Sequence, residues 1–260
     1  MIKTTTLFAL LLFAIGHSQE TLSSSKILNI AAKQRLLSQK MAKAKVCVVQ
    51  NINAAAAAKE LATSTTIFDE SLKLLSTLKI SASATSKINK IQAEFLSFKE
   101  ELNNPAPSSM DKVVTSSADL LTECDNLVID LKYFYATSPA GKSSNELVIN
   151  DAVVAAGSMR YLSQQLALYN IYSYTKNDID VSTQLIETNF KVEKAVSNLL
   201  TCEANNSEID DQIALVYSEW NKIKAQTKTA KIEPSIMIEK CNTILSLADK
   251  LTNMYVDMLK

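Results

Sequence analysis

Apolar positions recur at helical spacing along almost the whole chain. Between Ser24 and about Ala58, Ile27, Ile30, Gln34, Leu37, Met41, Ala44 and Val48 follow alternating steps of three and four. That is a heptad seam, suited to helices crossing at a shallow angle. The same period predicts helices over about Glu60–Lys79, Thr85–Leu102 and Met110–Tyr135. It predicts three more over about Asn145–Tyr174, Ile179–Cys202 and Ile209–Thr227, and a last one opening at Pro234 and running to the C-terminus. Breakers separate these runs: Asn103–Ser109 with two prolines, Thr137–Ser144 with proline, glycine and serine, and Glu203–Glu208. The pattern reads as an all-α protein of two tandem antiparallel four-helix bundles. Residues 19–136 form the first, 137–144 a linker and 145–260 the second.

Composition narrows the function. Three glycines and four prolines are too few for a β-rich fold or for the glycine loops of a nucleotide-binding α/β fold. The formal net charge is +0, which gives no electrostatic support to nucleic-acid binding. At the N-terminus, Lys3 precedes an apolar run from Leu7 to Ile15, and Gly16 and Ser18 supply small residues near a cleavage point. Residues 1–18 are therefore expected to be a cleaved secretory signal, and the mature protein to be periplasmic or secreted. No later segment carries ~18 uninterrupted apolar residues, so no membrane span is expected in the mature chain.

His17 is the only histidine and would leave with the signal. Serine triads, cysteine–histidine pairs, zinc sites and Glu-x-x-His di-iron sites all lose support without it. No catalytic residue, metal ligand or cofactor is assigned. Asp210-Asp211 and Glu100-Glu101 read as solvated charge, the tyrosine clusters as packing at the ends of the helices, and Trp220 as a core or loop anchor. Cys47, Cys124, Cys202 and Cys241 permit disulfides in an exported protein, with three pairings open. They do not fall at equivalent places in the two halves, so they read as staples or buried thiols.

Basic residues other than Arg35 and Arg160 are all lysine. Each arginine lies in the same local phrase: NIAAKQRLLSQKMA from Asn29, and VAAGSMRYLSQQLA from Val154. The two stand close to half a chain length apart, and Asp125 and Asp249 repeat at almost the same separation. Each arginine shares a helical stripe with small residues: Ala31, Ser38 and Ala42 in the first copy, Ala156, Ser163 and Ala167 in the second. Such a stripe lets another helix approach and shield the guanidinium, which then needs an anionic partner.

The phrase resembles the N-terminal motif of the PilJ-type sensor module, found in type IV pilus chemotaxis transducers and in nitrate/nitrite sensor kinases. The family pattern is roughly Asn-x-Ala-Gly-Arg-Gln-Arg-Met-Leu-Ser-Gln-Arg. Asn29, Ala31, Gln34, Arg35, Leu37, Ser38 and Gln39 match it in the first copy; Ala156, Gly157, Arg160, Leu162, Ser163 and Gln164 match in the second. Lys33, Ser158 and Met159 depart from it. The resemblance implies a periplasmic four-helix sensor whose motif arginines face each other across a two-fold axis and grip one small anion. Family members continue into a membrane helix and a signalling domain; this chain ends after its second half, so it is expected to report to an envelope receptor or sensory partner.

Three readings stay open at this stage. In the first, Arg35 and Arg160 bind a small nitrate- or nitrite-like anion, with Ser38, Gln39, Ser163 and Gln164 adding neutral hydrogen bonds. In the second, the arginines are internal struts paired with Asp125 and Asp249. In the third, the chain is a helical interaction or adaptor protein of an envelope complex, docking through its long lysine- and serine-rich faces; the Ala54–Ala58 run, a strong helix former, reads as a packed helix end. An enzyme is the reading with least support.

Overall fold

The computed structural model describes residues 22–106, 109–137, 143–175, 179–227 and 232–259. The predicted signal, including His17, lies outside them. The described residues form eight α-helices and no strand: α1 (Ser24–Val49), α2 (Ala54–Thr77), α3 (Ala82–Asn103), α4 (Ser109–Thr137), α5 (Ser144–Thr175), α6 (Ile179–Leu200), α7 (Ser207–Thr227) and α8 (Pro234–Asp257). No helix among them is long and apolar enough to cross a membrane.

Local chemistry sets the helix starts. Ser23 and Ser81 cap α1 and α3 by accepting hydrogen bonds from the Lys26 and Ala84 amides. Glu233 caps α8 with its carboxylate, and Pro234 occupies the first turn, where its missing N–H costs nothing. One boundary differs from the periodic reading. The first helix stops at Val49 rather than near Ala58, because Asn51 and Asn53 take positive φ values of 57° and 47°. Asparagine tolerates that left-handed backbone better than most residues. Ala54–Ala58 is consequently the opening turn of α2, and of its five alanines Ala57 alone is buried.

Helix α1 packs on α2 and α4, and α3 packs on α4; in the second half α5 packs on α6 and α8, and α7 on α8. The two halves meet along α1 and α5. Ser24 reaches Glu146 and Asn150 at one end, and Lys43 reaches Gln164 at the other, so these helices run parallel and side by side. Helices flanked on so many sides lose their solvent face. Every residue from Met159 to Tyr172 is buried, as are Gln34–Gln39 and Met41–Cys47. The heptad seam accounts for only part of the buried surface of α1. Trp220 is in the core, whereas Tyr133 and Tyr174 are exposed. All four cysteines are free thiols, three of them buried.

Candidate functional site

The α1–α5 contact brings both arginines into the interior. Arg35 and Arg160 are 3% and 1% exposed. Each guanidinium donates from Nη1 to an aspartate on the outer helix of its own half, Arg35 to Asp125 and Arg160 to Asp249, both at 2.9 Å. The carboxylates stand at the rim, with side chains 37% and 53% exposed. They stay partly hydrated while neutralising the cations behind them. Each Nη2 crosses to the opposite half. Arg35 donates to the Val154 carbonyl at 3.3 Å, and Arg160 to Asn29 Oδ1 at 2.7 Å.

The two groups converge on one small place. A Cβ at Gly157 would stand 3.3 Å from Arg160 Nη2, 3.5 Å from Arg35 Nη2 and 3.2 Å from the Ala32 methyl. Glycine is needed here for close approach, not for backbone freedom. The charges feel each other: burial holds the Arg160 guanidinium below its usual range, Asp249 opposes that shift, and Arg35 adds to it. The Nε atoms of both arginines are buried and have no hydrogen-bond partner among the described residues. Tyr161 lies under Arg35, with its ring centroid 5.1 Å from Cζ. Burial, aided by Asp125, pushes its phenol up to about 12.

The four neutral candidate residues hydrogen-bond within the helical layer around the arginines. Ser38 and Ser163 donate to the carbonyls of Arg35 and Arg160, both at 2.8 Å. Gln39 donates to the Ser117 carbonyl at 3.0 Å, and Gln164 to Asn242 at 3.4 Å. These bonds lock the arginine turns to α4 and α8. Gln164 also accepts from Lys43 at 2.6 Å, and Lys43 pairs with Glu60 at 3.0 Å. That buried lysine ties α1 to α2 and α5.

Sequence reasoning had Arg35, Arg160, Asp125 and Asp249. It missed Asn29 and Val154 as acceptors for the opposite half's arginine, and Tyr161 as the ring beneath Arg35. Asn29 belongs to the motif, which was a usable signal; a backbone carbonyl leaves none. No group of three or more histidine, cysteine or acidic residues placed to hold a metal occurs among the described residues.

This arrangement is an all-helical module with an arginine pair buried between its halves. Residues 18–120 match the PilJ family, described as the type IV pili methyl-accepting chemotaxis transducer N-terminal domain, a non-catalytic sensor family. One such domain is detected; it spans α1 to the first part of α4 and includes Arg35, Ser38 and Gln39, while a second copy over the rest of the chain is not detected. No curated protein and no solved structure matches.

Proposed function

We propose that this chain is an exported, non-enzymatic binding protein of two four-helix units that recognises a small oxyanion, nitrate- or nitrite-like, between Arg35 and Arg160. The convergence of both Nη2 groups over Gly157 carries the reading. Two permanently charged forks with unpartnered Nε donors suit a planar anion. Ala32 leaves little room there, so an entering anion has to push α1 and α5 apart. Occupancy then changes helix spacing, which a partner in the envelope can read. The aspartates hold the outer edges of the guanidinium groups and balance their charge.

The test is a thermal-shift series on residues 19–260 with nitrate, nitrite and small carboxylates in low salt. At 100 times its dissociation constant a ligand stabilises by about 2.7 kcal/mol. A saturable shift that disappears in Arg35→Lys and Arg160→Lys is the expected result, because lysine keeps the charge and loses the fork. No shift with any anion overturns the reading.

The Arg–Asp pairs themselves favour a second reading, in which the arginines are struts. Its signature is an inequality. Asp249→Ala strands a buried guanidinium and should cost roughly 3 kcal/mol, whereas Arg160→Met leaves a half-exposed carboxylate and the Oδ1 of half-buried Asn29 and should cost less. Urea unfolding of the two variants measures this. The strut reading fails if Asp249→Ala is silent.

A further inference from the structure

A cleft walled by α4, α5 and α6 lies beside the arginines. It has a volume of about 700 Å3, within the range of organic-ligand pockets. Its floor is apolar, with Ala152, Leu162 and Ala195 buried beneath it and Val148 and Ala155 alongside. Charge is unevenly spread along its length. At one end Lys191 and Lys194 stand exposed, and no ion pair involves them among the described residues. At the other end Lys132 is neutralised by Asp151 at 2.8 Å, and Glu203 adds a negative charge with no ion pair among the described residues.

The cleft is also unlike its counterpart in the first half. By the alignment of the two arginine phrases, Ser158 and Tyr161 of the cleft wall correspond to Lys33 and Leu36. The short Ser158 side chain leaves open space where its counterpart carries a long one. Ser158 and Tyr161 are moreover the residues that accept from and lie under the Arg35 guanidinium.

We infer that this cleft binds a single-headed organic acid: carboxylate between Lys191 and Lys194, apolar body along Ala155 and Ala152, and tail toward Glu203. A free carboxylate at the tail end would meet Glu203 and the Asp151 side of the wall, so the geometry selects monoacids over diacids of equal length. Occupancy rests on Ser158 and Tyr161 and so bears on Arg35. The inference does not depend on an anion binding between the arginines.

Titration calorimetry of residues 19–260 with octanoate, below its micellar range, tests it. The expected result is saturable one-to-one binding, weakened at least tenfold in the double variant Lys191→Gln/Lys194→Gln and at least tenfold weaker for octanedioate. Both lysines are exposed, so the double variant should melt as the parent does. Ala155→Leu, which fills the floor, should abolish binding. Absence of saturable binding, equal affinity in the double variant, or equal affinity for the diacid each overturns the inference. The outcomes separate from those of the arginine reading: Arg160→Lys should leave octanoate binding intact, and the lysine changes should leave any nitrate shift intact.

Discussion

Gly157 and Ala32 occupy matching positions, three residues before each arginine, and touch across α1 and α5. Gly157→Ala gains helix propensity worth about 1 kcal/mol. It also adds a methyl 3.2 Å from another backbone-anchored methyl and 3.3 Å from an Nη2 already held by Asn29. Overpacking of this kind costs typically 1–3 kcal/mol, so the net expectation is destabilisation by about 1 kcal/mol. The exchange Ala32→Gly/Gly157→Ala returns the same single methyl to the gap and should recover most of the loss, as urea midpoints would register. A Gly157→Ala chain more stable than the parent would mean that the helices do not meet closely there. The arginines and the aspartates were readable residue by residue, because scarcity and repetition mark them. Ala32 against Gly157 was not, since it depends on the register of two helices far apart in sequence.

Helices α3 and α4 carry a pH-sensitive contact. Glu94 on α3 faces Glu123 and Asp119 on α4, with Lys90 bridging to Glu123 at 2.7 Å. Burial and then Glu123 raise the Glu94 carboxyl above its ordinary 4.5. The native state therefore holds the proton more tightly than the unfolded chain does. Its contribution is fully present below the ordinary value, falls as pH rises through the raised one, and stays as a penalty at neutrality. Glu94→Gln should raise the melting temperature at neutral pH and give no advantage well below the ordinary carboxylate range. A gain of equal size at both ends would assign the effect to something other than ionisation. At this scale the sequence was a good guide, since periodicity and breakers placed nearly every helix. It failed between α1 and α2. Five consecutive alanines have the propensity to continue a helix, and the two asparagines around Ile52 end it only through their backbone conformation.

In the whole molecule, three thiols are sealed in and Cys202 is half-buried. Burial lifts the Cys47 thiol to about 11 and the Cys241 thiol to about 12, so neither supplies much thiolate at neutral pH. Iodoacetamide should label Cys202 first, and Cys47, Cys124 and Cys241 only at the rate of global unfolding. Peptide mass mapping over a time course would show it, and early labelling of Cys241 would contradict so tight a core. The association of the halves was the least legible feature. Arg35, Gln39, Lys43, Arg160 and Gln164 are buried on helices whose polar letters suggest a solvent face. Polar contacts between helices hide an interface from any count of apolar positions. The parallel run of α1 beside α5 within a single polypeptide has one last consequence. The two arginines meet by an intramolecular encounter, so the pair survives any dilution and its melting temperature should not change with protein concentration. A symmetric homodimer has to carry each mutation twice, once on either side of its axis. Here each wall can change alone, as Gly157 against Ala32 and Ser158 against Lys33 already illustrate.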